Sequence, residues 1–107
     1  MPKNVAEFHI IGNIGKITKR EKVAYVNVAA NNNWQENGEW KEETVWNSVV
    51  CFQNVMAQVD GAAVGDLVRV TGTPRESRHG DGETEKYRTE LIARTFSVLA
   101  KGGGEER

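Results

Sequence analysis

The sequence predicts an all-β fold: five strands closed into a small barrel, with one short helix between the third and fourth strands. Three observations carry this. Apolar residues recur at period two along most of the chain, while helical periodicity is confined to Gln53–Val59. The first strand candidate is interrupted by Gly12 and Gly15, as a strand bent sharply around a small barrel requires. The order of elements is three strands, a helix, then two strands.

The first strand runs from Phe8 to Ile17, and the polar run Thr18-Lys19-Arg20-Glu21-Lys22 reads as a charged turn. Val23 to Ala30 is the second strand, with Ala24, Val26 and Val28 on one face. Asn31 to Glu42 is expected to be a polar surface loop, unusual in holding Trp34 and Trp40. Glu43 to Phe52 is the third strand. Its alternation assigns Val45, Asn47, Val49 and Cys51 to the core side and Trp46, Ser48, Val50 and Phe52 to the other.

Gln53 to Val59 carries a helical stripe of Val55, Met56 and Val59, ended by Asp60-Gly61. Gly65-Asp66 turns into a fourth strand, Leu67 to Gly72. Pro74 to Glu85, with its proline, two glycines and dense charge, is expected to be a hairpin loop. Tyr87 to Leu99 is the last strand. Residues 1–100 thus form one domain, and residues 101–107, opened by Gly102-Gly103-Gly104, a short flexible tail.

Composition narrows the function classes. A chain of 107 residues, 38% hydrophobic and 27% charged, supports one modest core. No apolar run approaches the ~20 residues of a membrane span, and Met1-Pro2-Lys3-Asn4 opens no secretory signal. Cys51 is the only cysteine, which suits a reducing cytoplasm; it is expected in the core. With His9 and His79 far apart, neither a metal site nor any cofactor is expected, and no nucleophile–base pair suggests an enzyme. The net charge of −1 sets a condition on any nucleic-acid binding, because phosphate contacts need a basic surface. Residues 1–30 carry five Lys or Arg against two acids, whereas residues 31–60 carry one against five. A cationic path must therefore be built locally.

Five segments in register resemble the bacterial single-stranded DNA-binding protein family. Ile10-Ile11-Gly12-Asn13-Ile14-Gly15 resembles its first-strand signature, and Gly38-Glu39-Trp40-Lys41-Glu42-Glu43-Thr44-Val45-Trp46 its Gly-Glu…Thr-x-Trp block. Val49-Val50-Cys51-Phe52, Gly65 to Gly72 and Tyr87-Arg88-Thr89-Glu90 follow in family order, and the match runs from about Val5 to Leu99. The resemblance implies an OB-fold, a homo-oligomer, usually a tetramer, and sequence-independent binding of single-stranded DNA in replication, recombination and repair. It places Trp46 and Phe52 at stacking positions on the third strand and Trp34 at a loop tryptophan. The sequence departs from the family in four ways. Arg78 or His79 stands in place of an aromatic in the last hairpin, and Ser48 in place of a basic residue. The first turn is short, and no acidic, Phe-ended tip follows, which puts tail-mediated replication and repair partners in doubt.

Non-specific single-strand binding combines aromatic platforms, each stack worth ~1–3 kcal/mol, with cations along the backbone path. Trp46 and Phe52, six residues apart in one strand, share a face and lie roughly 20 Å apart. Trp34 and Trp40 are further stacking candidates; Glu36, Glu39, Glu42 and Glu43 oppose close phosphate approach near Trp40. The cationic candidates are Lys16, Lys19, Arg20 and Lys22, then Arg69, Arg75, Arg78, Lys86 and Arg88. Arg78 offers a planar guanidinium where the aromatic is missing. Two other readings use the same fold: a primosomal or protein-interaction module with little DNA binding, and an RNA-binding module, since stacking alone does not distinguish sugars.

Overall fold

The computed structural model describes residues 4–79 and 86–102, with the side chains of residues 78, 79 and 86 outside the description. Its elements are β1 (Phe8–Lys19), β2 (Val23–Glu36), β3 (Glu39–Phe52), α1 (Gln53–Asp60), β4 (Leu67–His79) and β5 (Lys86–Ala100). The strands form a closed barrel in the order β1-β2-β3-β5-β4, which with α1 between β3 and β4 is the expected OB-fold. All pairings are antiparallel except β3 with β5, where Val49 and Val50 lie beside Leu91 and Ile92 in parallel and close the barrel.

β1 serves two neighbours in turn. Residues 8–13 pair with β4 and residues 13–19 with β2, with a register shift between Ile14 and Lys16. The bend is pinned from the α1–β4 connection. Gly65 N–H donates to the Ile14 carbonyl at 2.8 Å, and Ile14 N–H to the Asp66 carbonyl at 3.0 Å. Asn13 Nδ2 donates to the Gly65 carbonyl at 3.1 Å, and Gly65 adopts φ +98, a conformation open to glycine.

Period two delivers the core. Ala24, Val26 and Val28 of β2 are fully buried with Val49 and Cys51 of β3, Val68 and Val70 of β4, and Ala93 and Phe96 of β5. Val55 and Val59 of α1 close one end of the barrel, with Met56 packed at the margin. Burial pushes the Cys51 thiol up to about 11, so it is an inert core group.

Four expectations need correction. Thr18 and Lys19 continue β1 rather than opening the turn. Asn31–Glu42 is not a loop: β2 and β3 remain paired without interruption from Val23↔Phe52 out to Glu36↔Glu39, and only Asn37-Gly38 turns. Both turn residues have positive φ, +53 and +80, the geometry of a two-residue hairpin matched to strand twist. Likewise β4 runs through the predicted loop as far as His79, paired with β5 out to Lys86; residues 80–85 lie outside the description. Val45, assigned to the core, is exposed because the β2–β3 ribbon has left the barrel at that point.

The α1–β4 turn also holds the chain after β5. The buried Asp66 carboxylate accepts from Ala63 N–H at 2.9 Å, Gly102 N–H at 3.0 Å and Lys101 Nζ at 2.7 Å. The Lys101 bond, then the backbone donors, hold its carboxyl down at about 2, below the ordinary carboxylate range. Lys101 and Gly102, which the sequence assigns to the tail, are thus tied to the barrel.

Candidate functional site

Because side chains alternate along each strand, the β2–β3 register sorts every residue of the ribbon by face. The pairs Ala24↔Cys51 and Val26↔Val49 point into the barrel, so Ala30↔Val45, Asn32↔Glu43 and Trp34↔Lys41 continue that face outward. The other face carries Val23↔Phe52, Tyr25↔Val50, Asn27↔Ser48, Ala29↔Trp46, Asn31↔Thr44, Asn33↔Glu42 and Gln35↔Trp40. Trp40, Trp46 and Phe52 therefore lie on one outer face at two successive six-residue intervals, each spanning roughly 20 Å. Trp34 lies on the opposite face. Trp40 is 73% exposed and Trp46 61%, and the rows between and beyond them, Asn31↔Thr44, Asn33↔Glu42 and Gln35, are polar. Large aromatics at that exposure, on a polar ribbon, are unpartnered contact surface within the chain.

Trp46 is held rather than loose. A Cβ placed on Gly15 would collide with Cζ3 and Cη2 of its indole, so the benzo edge of the ring rests on the bare backbone at the β1 bulge. The register also aligns Lys16 with Asn27 and Ser48 on the outer face, which supplies a cation to the row that Ser48 leaves neutral. Phe52 is covered from a different strand: Cζ of Arg75 lies 5.7 Å from its ring centroid, within cation–π range. Around Trp40, Asn33, Lys41 and Glu42 line a shallow groove of about 270 Å³.

The cationic candidates divide. Lys16 and Arg75 adjoin the outer aromatic face, as just described. Lys19 is engaged with Asp60 at 2.7 Å, while Arg20 and Lys22 are exposed at the β1–β2 turn. Arg88 is exposed on β5 opposite Ser77. Arg69 does not join the aromatics. It extends from the outer face of the β1–β4–β5 part of the barrel, where its Nε donates to His9 Nε2 at 2.9 Å. With Arg94, Thr71 and Thr95 it lines a separate open groove of about 580 Å³. Arg78 and Lys86 are placed in β4 and β5, but their side chains lie outside the described residues. Among the described residues, no group of three or more His, Cys, Asp or Glu side chains converges to hold a metal.

Sequence reasoning missed the roles of Gly15 and Glu90. Gly15 was readable only as a bend or a close approach, without its partner. Glu90 gave no local signal, because its partner Arg75 stands opposite it only through the β4–β5 register. Asn37-Gly38 was the available signal for the hairpin that carries Trp34 and Trp40.

The profile of the single-strand binding protein family matches residues 5–99. The chain belongs to that family. Among solved structures, a complex of the Plasmodium falciparum SSB with single-stranded DNA is 26% identical, with a TM-score of 0.72 over 92% of this chain and 98% of that one. The small single-stranded DNA-binding protein from Streptomyces coelicolor is 16% identical at TM-score 0.65, over 90% of this chain and 95% of that one. A mitochondrial single-stranded DNA-binding protein from S. cerevisiae is 17% identical at TM-score 0.66, over 92% and 99%. At those identities the last two speak to the fold alone. No curated protein matched the chain by sequence. Membership gives the outer aromatic face of this single-strand binding family member a role to be tested as a base-stacking surface.

Proposed function

We propose that this single-strand binding family member binds single-stranded DNA without sequence preference, through the outer face of the β2–β3 ribbon. The observation that carries the reading is the row Trp40, Trp46 and Phe52, three aromatics on one face at even spacing. Stacking on such a row discriminates little between bases, because every base presents a π face. Lys16 and Arg75 supply phosphate contacts beside it, with Arg20, Lys22 and Arg88 extending the path. Trp34, on the opposite face of the same ribbon, serves a strand that wraps around the hairpin. The chain acts by binding and shielding the strand during replication, recombination and repair rather than by catalysing a reaction.

The assembly is a homo-oligomer, four copies in preference to two. Residues 8–12 of β1 are paired with β4 along one side only, and an open strand edge of this kind invites pairing with another chain. Among the described residues no helix is long and apolar enough to cross a membrane.

The test is tryptophan fluorescence on titration with unstructured oligo-dT at low and moderate salt, beside a duplex control. Strong quenching by the single strand, weak response to duplex and loosening with salt are expected. No quenching at low salt would sink the reading and reassign the exposed tryptophans to protein contact. Light scattering on the same samples reads the number of copies.

A further inference from the structure

Phe52 is the least exposed aromatic of the Trp40, Trp46 and Phe52 row, 36% against 73% and 61%, with Tyr25 on the same face at 38%. The cover is Arg75, whose guanidinium carbon stands 5.7 Å from the ring centroid. The same guanidinium faces an acid: Arg75 Nη2 lies 3.5 Å from Glu90 Oε1, at the outer limit of a hydrogen bond. Arg75 and Glu90 are opposite each other in the β4–β5 ladder, so the backbone sets them side by side, while the ring comes from β3. The two partners differ in exposure. The Glu90 side chain is 23% exposed and the Arg75 side chain 56%, so the acid is the more enclosed member and the arginine the more accessible to a ligand.

We propose that Glu90 holds Arg75 as a removable cover on Phe52, a switch that a single-stranded DNA phosphate releases. This rests on the proposed binding face and adds a step to it. In the free protein the guanidinium stands over the ring at cation–π distance and is weakly held by the carboxylate. A backbone phosphate offers the same planar fork two acceptor oxygens in bidentate geometry, so it outcompetes the one long contact to Glu90. The guanidinium leaves with the phosphate, and the exposed ring takes the adjoining base. Arg75 is then both the phosphate contact and the gate to the stack, and Glu90 is a positioning residue that opposes binding by retaining it. The arrangement also disfavours occupation of Phe52 by a neutral apolar group, which brings no anion to draw Arg75 away.

The experiment is polarisation of dye-labelled oligo-dT against wild type, Glu90→Gln, Arg75→Ala and the double variant, across a salt series. Glu90→Gln is expected to bind about two- to five-fold tighter, the range for losing a weak exposed ion pair. Arg75→Ala is expected to bind more weakly, with a salt slope shallower by about 0.7 for one phosphate contact on a single strand. In the Arg75→Ala background, Glu90→Gln should bring no further gain, since its effect passes through the arginine. A damaged fold does not produce tighter binding, so the gain separates the switch from a structural role. Unchanged or weaker binding by Glu90→Gln overturns the inference. So does a gain that persists undiminished without Arg75, because Glu90 then acts only as a repelling charge. Wild type that fails to bind oligo-dT overturns the functional reading together with the switch; wild type that binds while Glu90→Gln is unchanged overturns the switch alone.

Discussion

The same two strands, β2 and β3, behave as two different materials along their length. Near Val26↔Val49 one face is sealed inside the barrel, and burial supplements the ladder. Near Gln35↔Trp40 the ladder is as continuous, but neither strand has a core beneath it. In the barrel a side chain is there because it fills space. In the ribbon Trp40, 73% exposed, fills no space within the chain, which marks it as contact surface for a partner. The contrast teaches that backbone pairing can carry binding groups well beyond the limit of the core, at the cost of leaving them without packing support. Trp46 stands at the border, out of the core but seated on Gly15.

The largest effect expected from breaking this division lies in the barrel. Phe96→Ala, at a position 2% exposed, should cost about 3–5 kcal/mol in urea unfolding. A loss under about 1 kcal/mol would mean that the barrel interior is not the packed region it is taken to be.

At the border, Trp46→Ala should weaken oligo-dT binding by ~1–3 kcal/mol. Its unfolding midpoint should move far less than that of Phe96→Ala, because the lost ring was mostly in water. A large stability loss with intact binding would reverse the assignment of the two regions.

Gly15→Val sharpens the border further. The added side chain must push the indole off its seat, so tryptophan emission should shift and binding should fall by up to the Trp46 stack, ~1–3 kcal/mol. In the Trp46→Ala background the same substitution should do little to binding. An equal loss there would show that Gly15 acts through the β1 bend alone.

The smallest effect concerns where the barrel ends. Asp66 is held at about 2, below its ordinary 3.8, so the stability it contributes is present above the ordinary value and is lost as pH falls through the folded one. Asp66→Asn should therefore melt lower than wild type at neutral pH, with the gap narrowing as pH drops through that window. A pH-independent gap would separate the effect from the carboxylate's charge.

The residues divide in the same way between what was legible and what was not. The inward positions of β2, Val49 and Cys51 of β3, and the helix stripe could be read directly, as could the outward placement of Trp46 and Phe52. Each follows from alternation inside one segment, which is a local property. Val50, by contrast, is assigned to the outer side but is buried beside Ile92 of β5. The extent of the strands was not legible from polarity. Polar residues such as Asn31–Gln35 continue a ladder when their backbone is paired, because pairing needs no apolar side chain. The hairpin turn was the one local clue, in Asn37-Gly38. Val45 fails for the same reason: alternation assigns a face, but only the barrel's dimensions say where that face stops being covered.

By itself the sequence determined the class of fold, the order of elements, the inward stripe and the aromatics that remain outside it. These are set by side-chain periodicity and chain stiffness over a few neighbouring residues. Tertiary structure alone decided that Gly15 lies beneath Trp46, that Arg75 covers Phe52 with Glu90 beside it, and that Arg69 faces His9 instead of the ribbon. Each of these joins segments distant in sequence, and their meeting depends on strand register and on closure of the barrel through β3 and β5. No local pattern encodes that closure.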